Sequence, residues 1–197
     1  MTRRTQTLPE AYFVGIYADN PDPWGFTSSA YERDKYGATL ASLPRERYRS
    51  AFEPACSIGV FTRALSERCD RLIAMDLVPA AVEAARARCA DRPQIEIREG
   101  AMPGDWPDGR FGLIVLSEFL YFLAPADFAE LVRRASETIE PGGDIVLVHW
   151  LGETDYPLSG DAAAEGFIRS AAPFAKVLHQ SRAAEYRIDV LRAGIDA

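Results

Sequence analysis

Two short stretches of this 197-residue chain have the residue types that binding a nucleoside requires. The first is Glu53-Pro54-Ala55-Cys56-Ser57-Ile58-Gly59. Small side chains in a turn from strand to helix let the backbone come close to a ligand. The second is Met75-Asp76-Leu77, where an acid ends an apolar run. It lies about 20 residues beyond Glu53, where a carboxylate can accept both hydroxyls of a ribose. Taken singly, each stretch also fits a fold without a cofactor, the first as a small-residue turn and the second as a helix cap. In this order and at this spacing they point together to a nucleoside ligand. Cys56 has no identifiable base beside it and reads as packing rather than as a nucleophile.

A second set follows two later apolar runs: Ser117, Glu118 and Tyr121, then His149, Trp150, Asp155 and Tyr156. A carboxylate or an imidazole beside an amine can bind its ammonium form and accept its proton. Glu118 is the first choice for that work; the alternative is that it caps the next helix or binds the backbone of the cofactor turn. His149 reads either as a base or as a core histidine. Tyr121 and Tyr156 can stack on a sugar face or simply pack. His179 falls in a terminal strand pair and reads as structural or exposed.

The elements that position these residues follow from periodicity. Residues 49–55, 71–75, 94–98, 111–117 and 144–150 read as strands. Residues 60–69, 79–90 and 125–139 read as helices, the first with Phe61, Leu65 and Cys69 on one stripe. Proline at the start of the second is in place, and Pro141-Gly142-Gly143 stops the third. Alternating strand and helix at this spacing predicts βαβ units and a parallel sheet. Residues 175–180 and 185–191 read as an antiparallel pair closing one edge, with a long loop and a helix over 151–172 before them. Residues 1–27 read as an arm or loop with one helical turn. Ser29 and Glu32 have capping-box spacing and open a helix to about residue 43. The arm and this helix, residues 1–47, form a lid candidate over a single globular unit spanning 48–197. Trp24, Tyr31 and Lys35 are its candidates for covering the site. Arg45, Arg47 and Arg49 read as a solvated connection.

Composition sets outer bounds. Twenty-two basic and 29 acidic residues give a net charge of −7, which weighs against nucleic acid as a partner. Three cysteines without CxxC spacing and two histidines support neither a disulfide framework nor a metal site. No apolar run approaches a membrane span, and no signal peptide is visible, so a cytoplasmic location is expected. Either a monomer or a homodimer is compatible with the sequence.

On these residues the chain resembles the class I S-adenosylmethionine-dependent methyltransferases. Glu53-Pro-Ala55-Cys56-Ser57-Ile-Gly59 is similar to their glycine-rich loop, with Ala55 and Ser57 where glycines are usual. Asp76 matches their ribose-binding acid, and residues 111–123 and 139–148 are similar to their fourth strand and their turn into the fifth. Pro21-Asp-Pro-Trp-Gly-Phe, Tyr31-Glu-Arg-Asp-Lys-Tyr36, Ser117-Glu-Phe-Leu-Tyr121 and His149-Trp resemble the nodulation protein S group more narrowly. The resemblance implies an α/β Rossmann-like fold, a mostly parallel seven-stranded sheet with an antiparallel C-terminal edge strand and helices on both faces. It implies S-adenosyl-L-methionine as cofactor, held by Trp24, Tyr31, Glu53, Ala55, Cys56, Ser57, Gly59, Asp76, Leu77, Gly100, Ala101, Met102, Ser117 and Glu118. The acid that commonly meets the adenine amino group falls on Gly100, which leaves adenine to the backbone at Ala101 and Met102. Glu118, His149 and Tyr121 are the implied catalytic set. The implied reaction is N-methylation of an amino sugar or deacetylated chitooligosaccharide. The rivals are O-methylation of a small metabolite and cofactor binding without methyl transfer; a dinucleotide-dependent oxidoreductase lacks its GxGxxG.

Overall fold

The structure, a computed structural model, describes residues 2–194. Seven strands form one sheet: β1 (Ala51–Pro54), β2 (Leu72–Asp76), β3 (Ile95–Glu99), β4 (Phe111–Ser117), β5 (Ile139–Trp150), β6 (Ala175–Arg182) and β7 (Tyr186–Ala193). Their order is β3-β2-β1-β4-β5-β7-β6. The first five run parallel, and β7 lies antiparallel between β5 and β6. The antiparallel strand therefore sits one place in from the edge, which β6 forms. Strand order reverses between β1 and β4, where a cleft opens beyond the carboxyl ends of the strands.

Helices α1 (Glu10–Asp19), α2 (Ala30–Ser42), α3 (Val60–Leu65), α4 (Pro79–Arg88), α5 (Pro125–Thr138) and α6 (Gly160–Ala171) surround the sheet. One face packs Phe52, Ile114, Leu116, Ile145 and Leu147 against Leu131 and Ala135 of α5 and Phe167 of α6. The other packs Leu113, Val115, Val146 and Val148 against Leu43, Phe61 and Leu65, beside α2 and α3. The near-continuous burial of β1, β2, β4 and β5 is what a sheet covered on both sides requires.

Four elements differ from their sequence pattern. The first is α1, a ten-residue helix where one turn was expected. Apolar residues occur all round it, so it lacks a clean 3.6 period; Phe13 and Tyr17 nevertheless bury together against Ile58, Val78 and Ala81. The second is β5, which begins at Ile139 and passes through Pro141-Gly142-Gly143 rather than starting after it. Gly142 takes φ +73°, and the register against β4 shifts between Phe111 and Leu113, so these residues accommodate an irregularity in the strand. The third is the helix expected over 60–69. It changes to a short 3₁₀ turn at Ser66–Arg68. The fourth is the capping box, of which one half forms. Ser29 Oγ accepts from Glu32 N–H at 3.3 Å, while the Glu32 carboxylate turns to Lys35.

Candidate active site

Beyond the ends of β1, β2 and β4 lies a cavity of about 650 Å³. The loop after β1 forms its base. Ala55, Ser57 and Gly59 all have left-handed backbone, at φ +58°, +51° and +75°. The glycine conformation thus persists at two positions without glycine, and such a residue costs roughly 1–2 kcal/mol. The loop is held from across the sheet. Asp76, nine-tenths buried, accepts Ser57 N–H at 2.8 Å and Val78 N–H at 3.0 Å through its two oxygens. Burial pushes the Asp76 carboxyl up, and the backbone N–H donors oppose that. Tyr17 of α1 meets Ser57 Oγ at 2.5 Å, tying the arm to the loop.

On the far wall, Gly100 N–H bonds the Asp76 carbonyl at 3.0 Å. A Cβ on Gly100 would lie 2.6 Å from Met75 Cε and 2.9 Å from Asp105 Cβ. A side chain at this position would require Met75 and Asp105 to shift. Asp105 accepts the Ala101 N–H at 2.8 Å, and Ala101 and Met102 line the cavity.

At the other end, Glu118 follows β4 with φ +59°, a strained backbone for an acid. Its N–H bonds Val148 O at 2.8 Å. Its Oε2 accepts Tyr121 OH and Trp150 N–H, both at 2.8 Å, and its Oε1 accepts Lys35 Nζ at 2.6 Å. Three segments distant in sequence thus converge on one carboxylate. Burial and the Glu118 charge hold Tyr121 well above the ordinary phenol range, so it remains a proton donor.

The cavity brings together Trp24, Tyr31, Ala55, Ser57, Asp76, Leu77, Gly100, Ala101, Met102, Glu118 and Tyr121. Six candidate residues of the sequence reading stand outside its lining, among them Asp155, which pairs with Arg4 at 2.9 Å. Glu53 is buried in β1, with Oε2 unpartnered among the described residues, and burial pushes it up to about 8. Cys56 lies beneath the loop, its thiol pushed up by burial. Gly59 caps α3, where a Cβ would meet Ala85 at 3.0 Å. Ser117 ends β4, paired with Val148. His149 is fully buried, edge-on to Tyr121 with ring centroids 5.6 Å apart. Neither of its nitrogens has a partner among the described residues, and burial pushes its pKa down to about 4. The structure thus places His149 as a neutral core residue behind the cavity wall.

Sequence reasoning missed Tyr17, Glu32, Phe13 and Phe119, which also line the cavity. The four-residue spacing of Phe13 and Tyr17 was the available signal for α1. Glu32 was hidden by its capping-box position.

Proteins of similar fold and sequence identify the family. Nodulation protein S (NodS) of Bradyrhizobium japonicum WM9, an N-methyltransferase solved with S-adenosyl-l-homocysteine, superposes with a TM-score of 0.76 over 93% of this chain and 98% of that one, at 19% identity. A Pseudomonas syringae protein described provisionally as a methyltransferase gives a TM-score of 0.73 at 36% identity, covering 83% of this chain and 99% of that one. The fold is that of the class I S-adenosylmethionine-dependent methyltransferases. Within it, the model of the nodulation protein S family matches residues 16–141. Nodulation protein S of Rhizobium tropici is 32% identical over 130 residues, 64% of this chain and 54% of that protein. The chain belongs to the nodulation protein S family, and it spans about half the length of the curated relatives it matches.

Proposed function

We propose that the protein is an S-adenosylmethionine-dependent N-methyltransferase acting on the free amine of an amino sugar or a deacetylated chitooligosaccharide-like glycan. The supporting observation is the charge of the cavity. Five carboxylates (Glu10, Glu32, Asp76, Glu118 and Glu153) face it against one ammonium, Lys35. Such a lining favours a sulfonium donor and an amine acceptor over a phosphorylated dinucleotide.

The residues present fit the cofactor. The left-handed loop at Ala55–Ser57 offers backbone close to the cavity, and the buried Asp76 offers a carboxylate. Ala55, Ser57, Asp76, Leu77, Ala101 and Met102 would hold the nucleoside, with Trp24 and Tyr31 closing over it from the arm. When bound, S-adenosylmethionine supplies a methyl group already activated on its sulfonium. The work left to the chain is alignment and the handling of one proton. Glu118, held by Lys35, Tyr121 and Trp150, orients the acceptor amine and takes its proton. Tyr156, half-buried in the cavity wall and stacked on the buried Tyr121 with centroids 5.6 Å apart, offers aromatic surface to a sugar.

The net charge of −7 disfavours a nucleic-acid acceptor. Among the described residues no helix is long and apolar enough to cross a membrane. Three buried free cysteines suit a reducing compartment, and we place the reaction in the cytoplasm.

The test is thermal unfolding with S-adenosylhomocysteine, with NAD as the control. A ligand at 100 times its Kd adds about 2.7 kcal/mol, at about 2–4 °C per kcal/mol for this size. Methyl transfer to D-glucosamine and deacetylated chitooligosaccharides is then compared with transfer to catechol. A shift with NAD alone, or methylation of catechol alone, overturns the reading.

A further inference from the structure

Helix α2 brings Tyr31, Glu32 and Lys35 to the cavity wall. Glu32 is 6% exposed, and its Oε1 accepts from Lys35 Nζ at 3.1 Å. Its Oε2 is buried and has no hydrogen-bond partner among the described residues. The neighbouring Tyr31 hydroxyl is also buried without a partner. Lys35, 3% exposed, donates to Glu118 as well, and its Nζ stands 5.0 Å from the centroid of the Tyr31 ring. Among the described residues it is the one cation lining the cavity.

Two carboxylates therefore share one ammonium, and one carboxylate oxygen has no donor at hydrogen-bond geometry, the Tyr36 hydroxyl beside Glu32 being a neutral group that burial and that carboxylate hold above the ordinary phenol range. A buried acceptor without a donor is unfavourable, and the surplus charge is negative. A group with a positive charge and several N–H donors answers both deficits. No set of three or more His, Cys, Asp or Glu among the described residues suits a metal ion. We infer that Glu32, backed by Glu118 and Tyr31, is the receptor for a primary ammonium group. Glu32 Oε2 accepts one N–H and the Tyr31 hydroxyl a second. The inference rests on the methyltransferase reading, in which two ligands bring such a group: the amino-acid end of the cofactor and the acceptor amine.

Calorimetric titration of wild type and Glu32→Gln separates the sources. Glutamine keeps the shape and an oxygen acceptor but removes the charge. The ligands are S-adenosylhomocysteine and methylthioadenosine, which lacks the amino-acid end. D-Glucosamine is then added to the protein loaded with S-adenosylhomocysteine, with N-acetylglucosamine as the neutral control. One ammonium-bearing ligand is expected to lose at least about tenfold in affinity, with methylthioadenosine unchanged. A loss confined to S-adenosylhomocysteine assigns the subsite to the cofactor, and a loss confined to glucosamine assigns it to the acceptor. Tyr31→Phe, which keeps the ion pairs, should weaken the same ligand about threefold. Unchanged affinity for both ammonium ligands overturns the inference, as does equal loss of S-adenosylhomocysteine and methylthioadenosine. Wild-type protein that binds neither thionucleoside overturns the methyltransferase reading itself, and the subsite falls with it.

Discussion

The two halves of the cavity are held by different kinds of bond. In the half proposed for the nucleoside the backbone does most of the holding. Asp76 takes two N–H groups, from Ser57 and Val78, Gly100 N–H bonds the Asp76 carbonyl, and Ala101 N–H is bound by Asp105. In the half proposed for the acceptor, side chains and one N–H from α2, the turn after β4 and the end of β5 meet on Glu118. The first arrangement needs small residues at local spacing. The second exists only once α2 has docked, because Lys35 lies 83 residues from Glu118. A loop built from its own backbone is in place before ligand arrives; a carboxylate held by an arm depends on where the arm sits.

Crossed substitutions give the largest effects and would break this contrast if it is wrong. Asp76→Ala removes a charged acceptor from two backbone donors, at about 1.5 kcal/mol or more each. It should lower stability in urea by about 3 kcal/mol and S-adenosylhomocysteine affinity at least about hundredfold. Glu118→Gln should leave affinity for methylthioadenosine, which lacks the amino-acid end, within about threefold and lower turnover about hundredfold or more. Binding and turnover that fall together in both variants would mean the cavity has no separable halves.

His149 sharpens the contrast from behind the wall. Its imidazole titrates at about 4 against an ordinary 6.5 because it is buried. Below pH 6.5 the unfolded chain takes up a proton that the folded chain refuses until about pH 4. Stability from this group is therefore complete above pH 6.5 and is lost as the pH falls to 4, by about 3 kcal/mol. Denaturation of wild type and His149→Leu at pH 7 and pH 4.5 should show a shallower acid loss in the variant. Its turnover at pH 8, compared within the folded population, should stay within a few-fold of wild type. A loss as large as that of Glu118→Gln would return His149 to the catalytic set.

This division also accounts for what could be read in advance. The β1 loop and Asp76 were legible because small residues, an acid and two apolar runs fall in fixed order along the chain. Strands 111–117 and the terminal pair were legible from continuous or paired apolar runs. Helix α1 was not, since its apolar residues surround the axis and its burial is decided by α4 and the β1 loop. Glu32 was not, because one spacing served two readings: Ser29 caps the helix as the motif predicts, yet the carboxylate turns inward to Lys35. For His149 the sequence left two readings open for a related reason. A strand end predicts nearness to the cleft, but side chains alternate across a strand. In β5 it is Trp150 that lines the cavity, while His149 is buried behind it.

The smallest expected effect tests the strain in the nucleoside half. Ala55 and Ser57 share the left-handed conformation, but they differ in what their side chains do. Ser57 Oγ is bonded to Tyr17, whereas Ala55 has a methyl group only. Ala55→Gly relieves roughly 1–2 kcal/mol of backbone strain and gives back about 0.4–1 kcal/mol through the freer unfolded chain. A net gain of about 0.5–1 kcal/mol should raise Tm by about 1–4 °C. Ser57→Gly relieves the same strain but removes the bond that holds α1 to the loop, about 1 kcal/mol, so its Tm should stay near that of wild type. Loosening α1 should instead appear as faster amide exchange across Glu10–Asp19. An equal rise in Tm for both variants, with α1 exchange unchanged, would show that the loop carries its strain alone and that the arm contributes nothing to holding it.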